Sequence, residues 1–250
     1  MLRIWNSLGL LVITSVFMSL LNAQPSVHGA DFSGVWEDFA PEHMDAFANS
    51  ALRADPPPMT AWGKERYDQA KPTFGSRAVP VLETNDPVYD CFLPGLPRVY
   101  MHPFPMEIIQ MPDRVIMLFE YHHIVRQVFI DGRDHRTDLA ASWMGDSIGH
   151  WEGSTLVVET VNFNDKTWID REGVPHSDQL RVLERIRLDE EGNLIIDITI
   201  EDPVAFTESW TGQRWYRPVN WVIEEFSCMD NVNFESYEYE LLNYDPNAAN

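Results

Sequence analysis

The stretch Leu180-Arg181-Val182-Leu183-Glu184-Arg185-Ile186-Arg187-Leu188, followed by Asp189-Glu190-Glu191-Gly192-Asn193 and Leu194-Ile195-Ile196-Asp197-Ile198-Thr199-Ile200-Glu201-Asp202, decides the fold class. Side chains of an extended strand alternate between its two faces. In the first segment Leu180, Val182, Glu184, Ile186 and Leu188 share one face, and Arg181, Leu183, Arg185 and Arg187 share the other. In the second, Leu194, Ile196, Ile198 and Ile200 oppose Asp197, Thr199 and Glu201. Two half-buried strands joined by a glycine-bearing turn read as an antiparallel hairpin. Glu184 is the one charge on the apolar face, which makes it the sharpest signal in the hairpin.

The same pattern extends outward. Arg114 to Ile130 reads as strand up to a turn at Asp131-Gly132. Ser147 to Trp151 turns at Glu152-Gly153-Ser154 into Thr155 to Phe163, and Trp221 to Cys228 closes the series. No helix of βαβ length separates these segments, so the expectation is an all-β, antiparallel barrel built as a meander. Residues 31–40 supply a first strand. Between it and Arg114 lies an irregular segment, residues 41–113, broken by prolines such as Pro56-Pro57-Pro58, Pro72, Pro80 and Pro97, with one helical candidate near Thr60 to Ala70. Proline removes a ladder donor, and a connection this long wraps a surface or covers a site.

Residues 1–30 have the three-part layout of a secretory leader: Arg3, the apolar run Leu8 to Leu21, and small or polar residues through Ala30. The run is too short to span a bilayer. Cleavage after Ala23 or near Gly29-Ala30 leaves residues 31–250 as one exported domain, periplasmic or secreted, with no membrane insertion. Removing Arg3 takes the net charge from −21 to −22. So acidic a surface repels phosphate backbones, which argues against nucleic acid as a partner. Two cysteines, Cys91 and Cys228, in an oxidising compartment predict a disulfide worth about 4–5 kcal/mol by loop closure.

Gly34-x-Trp36 on a first strand ahead of an antiparallel meander resembles the lipocalin (calycin) signature, in which the tryptophan packs across the barrel floor. A larger part of the chain, from about Pro57 to Cys228, resembles a family of exported, mostly uncharacterised bacterial lipocalin-like proteins. Its segments here are Thr84 to Pro87, Tyr89-Asp90-Cys91, Gly95 to Arg98, Phe119-Glu120-Tyr121, Arg126, Asp131-Gly132-Arg133 and Gly145 to Gly153. Further along they are Thr155 to Val158, Asn162, Trp168, Asp170, Pro175-His176-Ser177, Glu184-Arg185 and Asp202-Pro203. The resemblance implies a lipocalin-like barrel and exports no reaction with it.

Two constellations carry candidate chemistry. Along an extended strand Glu120, His122 and Arg126 share one face, and Tyr121, His123 and Val125 the other, although a bulge at His122-His123 would exchange them. Arginine suits a carboxylate. The structural alternative is a Glu–Arg pair on a wet face. The second is Pro175-His176-Ser177-Asp178, a loop leading into the Glu184 strand: an imidazole at a barrel mouth near a buried acid suits proton transfer. Here the alternative is that Glu184 is satisfied by an arginine of a neighbouring strand and sets register. The scattered His102, His135, His150 and His176 lack metal-ligand spacing, and no GxGxxG or GxxxxGK[ST] occurs, so no metal or nucleotide cofactor is expected; Ser177 beside His176 is too near in sequence to read as a Ser-His-Asp triad, which three-dimensional geometry defines.

These features point to a cofactor-independent enzyme acting on a small apolar or carboxylate-bearing molecule held in the barrel. Its chemistry would be of the lyase, isomerase/cyclase or hydratase type, with His176 and Glu184 as acid–base pair. Arg126, oriented by Glu120, would anchor the substrate, and Tyr121 or His123 would assist. Such a barrel is similar to phenolic acid decarboxylases in outline. The alternatives are a periplasmic carrier for a hydrophobic ligand and a cell-envelope interaction module, for which a barrel filled with side chains and a large exposed apolar patch are expected.

Overall fold

The structure, a computed structural model, describes residues 29–40, 50–53 and 55–228. All of the expected leader except Gly29 and Ala30 lies outside the described residues.

Nine strands close into a barrel in sequence order: β1 (Gly34–Asp38), β2 (Met106–Gln110), β3 (Arg114–Phe119), β4 (Val125–Phe129), β5 (Asp146–Glu152), β6 (Thr155–Val161), β7 (Arg181–Leu188), β8 (Leu194–Glu201) and β9 (Trp210–Val219). Closure is made by β1, which pairs with both β2 and β9, setting Trp36 opposite Met106 and Pro218. The all-β barrel is as the alternation implies. One pairing departs from the meander: β4 and β5 run parallel, with Val128 opposite Ser147 and Phe129 opposite Ile148. Parallel neighbours need a crossover, and residues 130–145 provide it without regular structure.

The hairpin that decides the fold forms in the expected register, Leu188 opposite Leu194 and Glu184 opposite Ile198. Asp189 Oδ1 accepts from the backbone N–H of Glu191 and Asn193, which fixes the turn. Val182, Glu184, Ile186, Leu194, Ile196, Ile198 and Ile200 are all buried. Burial of this face, at about 25 cal/mol per Å² of apolar area, is what holds the sheet closed.

Two expected elements are corrected. Arg114 to Ile130 is not one strand: the chain turns at Tyr121–His123, where His122 and His123 adopt φ of 57° and 50°. Histidine, like Asn and Asp, is enriched several-fold in this left-handed region, and the break falls at the His122-His123 pair already weighed as a bulge. Trp221 to Cys228 forms no strand. The closing strand is β9, whose alternation is blurred by Gly212 and Pro218. The helical candidate does form, as α1 (Ala61–Gln69), with the Thr60 hydroxyl capping its first turn by accepting from Gly63 N–H at 3.1 Å.

The proline-rich segment does more than wrap the barrel. It supplies β2, and its turn Arg98–Met101 enters one end of the barrel with Val99, Tyr100 and Met101 almost fully buried. Gly95, at φ 75°, makes that entry possible, since a Cβ there would meet Trp143 O at 3.0 Å and Thr167 Cγ2 at 2.8 Å. The sulfurs of Cys91 and Cys228 are bonded. The bond ties this segment to residues 221–228, which leave β9 as a strap.

Candidate functional site

Inside the barrel the inward positions of β4, β5, β6 and β7 bring Arg126, Ser147, Thr160 and Glu184 together, and Tyr100 joins them from the inserted turn. Arg126 donates to Glu184 Oε1 at 2.9 Å and also to Oε2. It donates further to the Tyr100 hydroxyl at 2.6 Å, Thr160 Oγ1 at 2.9 Å and Ser147 Oγ at 3.2 Å. Tyr100 in turn donates to Glu184 Oε1 at 2.7 Å. Burial disfavours the guanidinium charge, but Glu184 and Tyr100 outweigh it and hold the Arg126 pKa above its ordinary value. Burial drives the Tyr100 pKa well above the usual phenol range. Every member is satisfied, and both Glu184 oxygens are occupied. The cluster is a closed ion-pair network in which both carboxylate oxygens are already engaged.

His176 is buried at the other expected position, in a different setting. Its Nδ1–H donates to Ser177 O at 3.0 Å, the tautomer that leaves Nε2 bare, and burial lowers its pKa. Ser177 Oγ donates to Asp202 Oδ1 at 2.8 Å, and the same oxygen accepts from Val204 and Ala205 N–H. Ser177, His176 and Asp202 therefore form a loop anchor, in which no imidazole nitrogen faces the serine hydroxyl. The shallow cleft that His176 borders is lined by Trp62, Lys166 and Trp168 and does not include Glu184.

The remaining candidates lie on the turn between β3 and β4. Glu120 Oε2 accepts from Glu224 N–H at 2.8 Å, and His123 Nε2 accepts from Phe226 N–H at 2.9 Å. Both hold the strap. Tyr121 faces a cavity instead, of about 250 Å³, formed by connecting segments at one end of the barrel and by no strand residue. Its walls are aromatic: Phe74, Tyr89, Phe104, Tyr121 and Phe226. Tyr121 stacks on His102 with ring centres 4.0 Å apart and on Phe104 at 5.0 Å, while Phe226 packs on both Phe104 and Tyr121. Burial raises the Tyr121 pKa to about 12.

The cavity's polar groups are Asp86, Arg98, His102 and Arg171. Arg98 and Asp86 form a buried bidentate pair, with Nη1 2.8 Å from Oδ1. His102 is buried, and desolvation together with the Arg98 and Arg171 charges pushes its pKa well below the ordinary imidazole value. Arg171 lies over the Phe74 ring at 3.5 Å and donates to Met101 O at 3.3 Å. Burial, followed by the Arg98 charge, lowers its pKa to about 10. Of these residues only Tyr121 was a candidate from sequence. The others are scattered over five segments whose approach depends on the inserted turn and the disulfide, and no spacing rule reaches across them.

No protein-family model matches this sequence, and no match to it is found among curated proteins. Among the described residues no group of three or more His, Cys, Asp or Glu could hold a metal ion, and no helix is long and apolar enough to cross a membrane.

Proposed function

We propose that this chain is an exported binding protein for a small, largely apolar molecule, with its site in the aromatic cavity outside the barrel. The observation that carries this reading is the cavity itself: five aromatic side chains around about 250 Å³, with buried polar groups converging on it. Concave, mostly apolar lining with a few placed polar groups is what small-ligand sites share. The volume lies just below the usual range for drug-sized ligands, which suits a molecule built around a single ring.

This reading keeps the carrier alternative and relocates its ligand. The acid–base enzyme in the barrel lumen has less support, because Glu184 offers no free oxygen to a substrate and His176 borders a separate cleft. Export is supported by the leader-like residues 1–30 and by the Cys91–Cys228 bond, which persists in oxidising compartments. The lipocalin-like family resemblance agrees with a closed barrel and adds no activity.

The test is ligand-detected NMR with a set of single-ring compounds on the wild-type protein and on Phe226→Ala. Binding that weakens in the variant supports the cavity. Binding unaffected by Phe226→Ala, or no binding at millimolar concentration, removes it.

A further inference from the structure

Resting on the cavity reading, we infer that the ligand is an aromatic monocarboxylate and that Arg171 is the residue that selects it. The fixed charges in the cavity make the case. Arg98 and Asp86 cancel as a bidentate pair. Arg171 makes no ion pair among the described residues, and its only side-chain hydrogen bond recorded there goes to the Met101 carbonyl. The cavity wall therefore carries one unmatched positive charge. A half-buried cation without a counter-ion has lost part of its hydration, and the lowered Arg171 pKa, caused first by desolvation, agrees with that. A ligand bringing one negative charge removes it.

The donors fit a carboxylate in particular. Two buried nitrogens without a partner, Arg98 Nε and His102 Nε2, belong to residues that line this cavity. Arg98 Nε–H can only donate, and His102 Nε2 donates in the corresponding tautomer. Both atoms are closed off from the cavity's open space, so the planar Arg171 fork carries the recognition, a donor set that carboxylates match bidentately. The aromatic walls would then hold the ring, and stacking of Arg171 on Phe74 orients the fork. The expected anchor of a carboxylate, Arg126, is already consumed by Glu184, so this role passes to a residue on the β6–β7 connection.

The experiment is calorimetric titration with benzoate and its neutral isostere benzamide, on wild type, Arg171→Gln and Phe226→Ala, with circular dichroism to check folding. Hydrogen bonds to charged groups predict that benzoate binds wild type at least about tenfold more tightly than benzamide. Arg171→Gln should abolish that preference, lowering benzoate affinity by more than benzamide affinity. Phe226→Ala should weaken both probes alike. If benzamide binds wild type as tightly as benzoate, and Phe226→Ala weakens both, the carboxylate inference fails and the cavity reading stands. If neither probe binds at millimolar concentration, both fail. The wild-type comparison decides the question even if Arg171→Gln does not fold.

Discussion

At Glu184 three hydrogen bonds from two residues converge on one carboxylate inside a β-barrel. Removing one partner of a buried ion pair leaves the other charge uncompensated, which costs about 3–5 kcal/mol, whereas replacing both by apolar groups is often neutral. Glu184→Gln is therefore expected to lower stability by about that amount in urea denaturation. The double variant Arg126→Met/Glu184→Leu should recover most of the loss. A Glu184→Gln protein of unchanged stability would show that the pair is not formed. Glu184 facing inward was legible from β7 alone, because four aliphatic neighbours share its face. Its partner was not. Arg126 and Glu184 lie 58 residues apart and meet only when the barrel closes and Tyr100 enters it. The same limit hid Arg171, which reads in sequence as one more charge between Asp170 and Glu172.

The strap at residues 221–228 is the element on which the cavity depends. It has no strand partner and is held by Glu120, by His123 and by the bond from Cys228 to Cys91 across a separation of 137 residues. A loop of that length is worth about 4–5 kcal/mol in the chain-entropy model. Cys91→Ser/Cys228→Ser should lose stability of that order in denaturant. It should also bind benzoate more weakly, because Phe226 and Cys228 form part of the wall. Retained affinity in the reduced-type variant would mean that the strap is not a wall of the site. The other end of the described chain makes a parallel argument. Gln110 donates to Ala30 O at 3.1 Å and also accepts from Phe32 N–H, and Gly29 lies against the Trp151 ring. Processing after Ala30 would remove the Ala30 and Gly29 contacts and leave only that of Phe32, so if the proposed leader is cleaved the chain is expected to begin at Gln24, as intact mass spectrometry would read. The pairing of elements was partly legible: turns after Leu188 and Trp151 carry glycine and acidic residues, and both hairpins form. The turn at Tyr121–His123, where histidines take positive φ, was legible only as a bulge, and strand β9 was not legible, since it interrupts its alternation with Gly212 and Pro218.

Across the whole molecule, buried titratable groups set how the fold responds to acid. Burial lowers the His102 and His176 pKa values, so as pH falls from 7 the unfolded chain takes up protons at both more readily than the folded chain does. Stability is then lost as pH falls below about 6.5, by as much as about 1.4 kcal/mol per pH unit for each group. Asp170 works in the opposite direction. Burial raises its pKa to about 6 against the backbone donors of Val174 and Glu172, so its stabilising effect is present below the unfolded value near 3.8 and is lost as pH rises through 6. On acidification from pH 7 to 5 it returns part of what the two histidines remove. The half-buried His122 adds to the loss and Asp38, whose pKa burial raises, to the return; with three imidazoles against two carboxylates, the urea midpoint of the wild type should fall over this range. Asp170→Asn keeps an oxygen to accept from Val174 and Glu172 but cannot take up the proton, and its midpoint should fall more steeply than that of the wild type. A midpoint that rises on acidification, or the same slope in both proteins, would mean that these groups do not titrate in the buried environments the barrel gives them.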